Sequence, residues 1–399
     1  MPIINRIAEF QDEMTGWRRT LHADPELSLQ EHRTSAMVQK KLREFGVDEI
    51  ITGLACTGVV GVIRGSGRSS RSIGLRADMD ALPIHEETNL PYASRNDGVM
   101  HACGHDGHTT MLLGAARYLA ETRNFDGTVY LIFQPGEENL AGGEIMVKDG
   151  LFERCPVDRV FGMHNWPLVP AGTFRWRSGP IMAAVGNIEI TITGKGTHGA
   201  QPHFGIDPIV IASHIVTALQ SIVSRTIEPV EGGVISIGHI SGGQTYNVIP
   251  ETVHMKGTAR WFKPEVGDKL EAGVRNLATG IAASFGAKAD VMFQRAYPAT
   301  INDPEATELT LRAAAAVAGD ARVRPMDNPT MGGEDFAFML QAKPGSYILL
   351  GAGRGPNDAM VHHPAYDFND EVLTVGASYW ATLTEQLLPR TGADLTGSR

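Results

Sequence analysis

The sequence predicts a mixed α/β fold in two domains, the smaller inserted into the larger, on three observations. The chain has 399 residues, more than one hydrophobic core commonly supports. Its first half alternates helical and strand patterns, as a sheet covered by helices does. Near residue 184 the pattern changes to strand–helix–strand–strand–helix–strand, the order of a self-sufficient split βαβ sheet. The larger domain then comprises 1–183 and 297–399, and the inserted α/β domain 184–296.

Taken in order, apolar residues recur at helical spacing over 5–20 and 31–45. The apolar runs 57–64 and 72–77 read as strands, 108–121 as a buried helix, 128–133 as a strand and 157–163 as a further short apolar run. Residues 187–193, Asn-Ile-Glu-Ile-Thr-Ile-Thr, alternate as a strand with one wet face. The helix that follows opens at Asp207-Pro208, a capping acid and then proline at the first helical position, and runs to about Arg225. Strands at 233–240 and 251–261, a helix at 264–285 and a strand at 288–294 complete the insertion. Helix and strand resume from 297 and end in a helix over 370–389. No repeat or low-complexity segment interrupts them.

A net charge of −10 argues against nucleic acid or an anionic membrane surface as the main partner. No run of about twenty apolar residues predicts a membrane span. The amino terminus lacks the charged-then-apolar build of a secretion signal. Three cysteines, an odd count at irregular spacing, suggest no disulfide framework and a reducing cytoplasm. Cys56 and Cys155 read as small buried thiols.

The chemistry concentrates in His101-Ala-Cys-Gly-His-Asp-Gly-His108. Cys103 and His105 stand two apart, so an extended segment or tight loop points both side chains the same way. Thiolate and neutral imidazole are typical ligands for zinc and its neighbours. Asp78 and Asp80 follow one predicted strand, Glu137 and Glu138 follow another through Pro135-Gly136, and His164 ends a third apolar run. Sheets with parallel strands gather functional groups at the strands' carboxyl ends, so these residues can converge beside Cys103 and His105. Of two adjacent carboxylates, one can hold a metal while the other holds water, the arrangement a general base requires. A solvated acidic turn is the plain alternative for that pair; the preceding apolar strand and the available ligands weigh against it. His101 and His108 flank the cluster as groups that could orient ligands. His22, His32, His85, His214, His239 and His254 are expected to have no special task. Gly194-Lys-Gly-Thr-His-Gly199 matches a dinucleotide pattern, but no helix opens there and no suitably placed acid follows. No Gly-x-Ser-x-Gly elbow is present.

Leu75-Arg-Ala-Asp-Met-Asp-Ala-Leu-Pro83, the cluster at 101–108, Gln134-Pro-Gly-Glu-Glu138, Gly162-Met-His-Asn-Trp166 and Gly332-Gly-Glu-Asp-Phe336 recur together, in this order, in one family. The chain resembles the M20 metallopeptidases, in the amidohydrolase branch of hippurate hydrolases, N-acyl-amino-acid amidohydrolases and auxin-conjugate hydrolases. The similarity runs from His22 to Asp370. It implies a dinuclear metallohydrolase domain with an inserted lid that also forms a dimer interface. Carried over by position, the metal ligands would be Cys103, His105, Glu138, His164 and His362. His363 adjoins the last of these, and the family pattern of histidine, variable residue, proline favours His362. Glu137 would be the general base and Asp80 would orient a ligand or the metal pair. His198, on the lid, would reach a partner's active site and stabilise the developing oxyanion. Asn247 and Arg260 resemble lid positions that touch substrate. The implied cofactor is a pair of divalent ions; zinc suits the thiolate, with manganese, cobalt and nickel also accommodated. The implied reaction splits an N-acyl amino acid, such as an N-benzoyl or N-acetyl one, into a carboxylic acid and a free amino acid. A carboxypeptidase or dipeptidase using the same dinuclear site is the runner-up. A non-catalytic metal-binding protein and a nicotinamide oxidoreductase are more distant rivals.

Overall fold

The computed structural model describes residues 3–390, and they form two compact units. The first comprises residues up to Ile181 together with Ile301–Asn328 and the chain from Asp335 onward; the second comprises Met182–Thr300 and Pro329–Glu334.

The first unit is built on an eight-stranded mixed sheet. Its strands lie in the order Glu49–Leu54, Gly58–Arg64, Thr128–Gln134, Ser72–Asp78, Arg159–Pro170, Gly345–Gly353, Phe174–Trp176 and Val323–Pro325. The central four, from Thr128–Gln134 to Gly345–Gly353, run parallel. Their residues are buried almost throughout, which explains why they read as continuous apolar runs rather than alternating ones. Register places Asp78 opposite Gln134 and His164 opposite Leu349, so the chain leaves the sheet toward Asp80 and toward Glu137 from the carboxyl ends of adjacent parallel strands.

The helix His105–Thr122 is buried on nearly every side, packed among Gln11–Ala23, His32–Phe45, Leu373–Leu387 and the strand Ser72–Asp78. An all-round buried helix belongs to a core. It starts three residues earlier than its apolar pattern predicts, because Gly104 adopts φ +92° as its N-cap and turns the chain directly into the helix at His105. The amino-terminal pattern resolves into Asn5–Ala8 and Gln11–Ala23, and the last helix spans Leu373–Leu387. The edge strand Glu49–Leu54, half exposed, carried no clear alternation and was not expected. Cys155 is buried as anticipated, whereas Cys56 is exposed in a turn where it and Ala55 both take positive φ.

The second unit is a four-stranded antiparallel sheet in the order Gly233–Ser241, Thr252–Trp261, Ala184–Thr193 and Lys288–Tyr297. Ile188, Ile190 and Ile192 point to one face and pack with Ile211, Ile215, Leu219, Leu270 and Val274 of the helices Pro208–Thr226 and Pro264–Ser284. Asp207 Oδ1 caps the first of these helices, accepting from Ile209 N at 2.9 Å. That helix is long and apolar enough to cross a membrane by composition alone, yet its apolar stripe is spent on the sheet of its own unit.

Candidate metal centre

Three parallel strands and one helix start deliver the site. Asp80 lies just past Ser72–Asp78, Glu137 and Glu138 open a short helix after Thr128–Gln134, and His164 lies within Arg159–Pro170. Cys103 precedes Gly104, and His105 is the first residue of the buried helix. A Cβ on Gly104 would stand 2.3 Å from Asn165 Oδ1, so glycine here serves both its positive φ and the approach of the Cys103 loop to the His164 strand.

Ligand-type atoms of three overlapping sets lie within 4.8 Å of one another: Cys103, His105 and His164; His105, Glu137 and Glu138; Cys103, Glu138 and His362. Cys103 Sγ is 3.3 Å from His164 Nε2, and His362 Nε2 is 3.0 Å from Glu138 Oε1. His362 adopts φ +69°, and its backbone N–H donates to the Ala102 carbonyl at 2.7 Å, which ties its loop to the cysteine segment. His363 is exposed and its Nδ1 accepts from Ala365 N. The geometry therefore brings His362, not His363, to the cluster.

The surrounding hydrogen bonds leave the imidazoles free on the cluster side. His105 Nδ1 lies 2.9 Å from the Asp80 carbonyl and 3.1 Å from its Oδ1, while its buried Nε2 has no hydrogen-bond partner among the described residues. His164 Nδ1 lies 2.6 Å from the Asn165 carbonyl, so donation there turns the Nε2 lone pair toward Cys103. Burial, with His108 nearby, pushes the His164 pKa well down, which keeps the ring neutral. Burial likewise works against a proton on His105, but Asp78 and Asp80 raise its pKa to about 10. Burial and the carboxylates of Glu138, Glu137 and Asp78 push the Cys103 thiol well up. A protein that buries a thiol among carboxylates, and leaves an imidazole nitrogen unpartnered beside them, has the donor set a cation requires. The residues fit a pair of divalent ions.

Asp80, wholly buried, touches two of the expected ligands. One oxygen faces His105; the other accepts from Glu138 N at 2.9 Å and from the Ser28 hydroxyl at 2.6 Å. His108 bonds Asp78 and Asn165, whereas His101, buried beside the cluster, has no hydrogen-bond partner at either ring nitrogen among the described residues.

The sequence profile of Peptidase family M20/M25/M40 matches residues 74–386. The chain belongs to that family. It is 40% identical over 388 residues to the hippurate hydrolase of Campylobacter jejuni subsp. jejuni, covering 97% of this chain and all of that one. It is 42% identical over 376 residues to the N-acetyl-L-cysteine deacetylase of Bacillus subtilis, covering 94% and 88%. The crystal structure of the Bacillus subtilis YXEP protein, a dinuclear metal binding peptidase of the M20 family, superposes with a TM-score of 0.81 at 37% identity, over 96% of this chain and 99% of that one. The protein is thus an M20 enzyme of the amidohydrolase branch, with a centre for a pair of divalent metal ions.

In the second unit of this M20 enzyme, His198 lies in a short ribbon, Thr197–His198 paired with Val248–Ile249. Its ring is exposed, Nδ1 accepts from Ala200 N, and Gly199 N donates to Asn247 O at 2.7 Å. His198 and Asn247 are therefore neighbours. Arg260 stands apart from them on Thr252–Trp261. Its guanidinium bonds the carbonyls of Met331 and Ala259 and the Thr258 hydroxyl, and it makes no ion pair among the described residues. Burial lowers its pKa, the expected result for a cation short of an anion.

Ser28, Glu31 and Asp106 carry no role in the sequence analysis, and His22, expected to have no special task, is instead tied into a buried group with Asp106. His22 Nδ1 is 2.8 Å from Asp106 Oδ2 and its Nε2 is 3.3 Å from Glu86. Burial opposes its protonation, but these partners raise its pKa to about 9. The spacing of His22 from Asp106, 84 residues, carries no sequence signal of this pairing.

Proposed function

We propose that this enzyme hydrolyses the amide bond of N-acyl amino acids, releasing a carboxylic acid and a free amino acid. The observation that carries the reading is the overlap of three donor groups, two of them sharing the buried Cys103 thiol and the third pairing Glu137 with Glu138 beside His105. Relatives that act on hippurate and N-acetyl-L-cysteine, aligned over nearly the whole chain, support the substrate class.

Cys103, His105, Glu138, His164 and His362 would hold the cations, and the soft thiolate among imidazoles and carboxylates favours zinc over manganese, cobalt or nickel. Bound there, two divalent cations lower the pKa of a water and polarise the substrate carbonyl. Glu137, buried at the start of its helix, takes the proton of the attacking water on a carboxylate oxygen and delivers it to the leaving amine nitrogen. Asp80 keeps His105 and Glu138 aimed together. His198, on an exposed ribbon, donates to the carbonyl oxygen as it gains charge, in a partner copy's active site within a dimer. Arg260 receives the carboxylate of the amino acid moiety, and Asn247, beside His198, touches that moiety from the partner copy. A cytoplasmic location is part of the same proposal, supported by the odd, irregularly spaced cysteines.

The test is release of free amino acid from N-benzoylglycine and a panel of N-acetyl amino acids, using chelator-stripped protein with and without added zinc or manganese. Metal-restored release supports the reading. Release only from short peptides transfers it to a carboxypeptidase or dipeptidase, and no release from either panel by metal-loaded protein removes the catalytic claim.

A further inference from the structure

Glu137 and Glu138 are held from below by a loop that shares no sequence neighbourhood with them. Residues 24–31 connect the helices Gln11–Ala23 and His32–Phe45. Within this loop Glu31 is fully buried. Its Oε1 accepts two backbone N–H groups, from Leu29 at 2.9 Å and from Gly136 at 2.9 Å, and its Oε2 accepts the Thr57 hydroxyl at 2.6 Å. Gly136 immediately precedes the two glutamates. The Ser28 hydroxyl lies 2.6 Å from Asp80 Oδ2 and 2.8 Å from the Glu138 carbonyl. Between Ser28 and Glu31, Leu29 takes φ +62°, and its Cδ2 sits 2.9 Å from where a Cβ on Gly136 would stand. Both ends of the Gly136–Glu138 turn are therefore fixed by one loop, at its first amide by Glu31 and at its last peptide by Ser28 and Asp80.

We infer that Glu31 and Ser28 are positioning residues, which set the directions of Glu137 and Glu138 through the backbone that carries them. This inference rests on the hydrolase reading for its rate readout. Neither residue belongs to any donor set, and neither reaches the reacting atoms. Their contribution is to remove the turn's freedom, because a carboxylate displaced by about 1 Å can cost a hundredfold in rate. Outer hydrogen bonds of this kind are worth roughly 10–100-fold in metal affinity or activity.

The hydrogen-bond pattern gives a discriminating pair of variants. Both backbone donors use the same oxygen, Oε1. Glu31→Gln keeps a carbonyl there and offers its amide N–H to the Thr57 oxygen, whereas Glu31→Ala removes every acceptor. The experiment measures kcat and KM on N-benzoylglycine, and cobalt(II) affinity with its visible absorption spectrum, for wild type, both Glu31 variants and Ser28→Ala. Glu31→Ala should lose roughly 10–100-fold in kcat and bind cobalt(II) more weakly with an altered spectrum. KM should stay within about two-fold, and Glu31→Gln should restore kcat, affinity and spectrum. Ser28→Ala, at a half-buried position, should show the same direction and carries the test if Glu31→Ala does not fold. Wild-type kcat and cobalt(II) affinity in the alanine variants, or a Glu31→Gln no better than Glu31→Ala, overturns the inference. If wild type hydrolyses nothing, the hydrolase reading falls, and cobalt(II) affinity and spectrum still decide the positioning claim.

Discussion

Glu137 and Glu138 are adjacent in the chain and are assigned opposite duties, and substitution separates them. Glu137→Gln removes the proton acceptor but no proposed ligand. Turnover should fall by roughly two to four orders of magnitude, with bound metal, counted by elemental analysis, equal to wild type. Normal turnover would remove Glu137 as the base. Cys103 belongs to two of the three donor sets, so Cys103→Ala should strip metal from the protein; retention of both ions would exclude it as a ligand. Arg260 tests recognition separately from chemistry. Among the described residues its side chain bonds only neutral oxygens, and a hydrogen bond to a charged group is worth about 1.5–3 kcal/mol. Arg260→Met should therefore raise KM by roughly 10–100-fold with a smaller change in kcat. An unchanged KM would place the substrate carboxylate elsewhere.

Among the elements, the junction at Gly104 has the least tolerance. An alanine there meets both Asn165 Oδ1 at 2.3 Å and the Tyr366 hydroxyl at 2.7 Å, in a backbone conformation costing about 1–2 kcal/mol without glycine. Gly104→Ala should lower the melting temperature by several degrees, on the order of 2–4 °C per kcal/mol for a domain of this size, and weaken metal binding at once. Retained metal affinity would show that the loop can shift without moving Cys103 or His105. The same junction marks how far the sequence could be read. Parallel strands such as Ser72–Asp78 announce themselves as apolar runs, and the split βαβ order was visible because Asn187 to Thr193 alternates. The helix start at His105 was not visible, since Gly104 as a left-handed N-cap carries no apolar period. The residues of the centre were legible because thiol, imidazole and carboxylate stand together in short motifs. Ser28 and Glu31 were not, because their partners lie 52 and 105 residues away and an isolated serine or glutamate in a loop has no pattern of its own.

Across the whole molecule, buried charge makes stability depend on pH. In metal-free protein His22 and His105 hold protons more tightly folded than unfolded, with pKa values raised to about 9 and about 10. Their contribution is complete below about pH 6.5 and is lost as pH rises through those folded values. Urea unfolding of chelator-treated protein should show stability falling between pH 6.5 and 9, with roughly 3 kcal/mol of the fall due to His22. His22→Gln should flatten the profile over that interval, and an unaltered slope would show that the Asp106–His22–Glu86 group does not titrate there. The second unit has its own global consequence. Its first and last strands are neighbours, with Val185 paired to Tyr297, so the two ends of its main segment, Met182–Thr300, emerge side by side, about 5 Å apart at that pair. A segment with abutting ends can be cut out or exchanged without stretching what remains. Residues 182–300 expressed alone should fold, as amide exchange protection of Ile188, Ile190 and Ile192 would show; a fully exchanging sheet would mean that Pro329–Glu334 is needed to complete it. If His198, Asn247 and Arg260 act as proposed, such a cassette grafted from one relative onto another would carry its grip on the amino acid with it and leave the bond-breaking apparatus to its host.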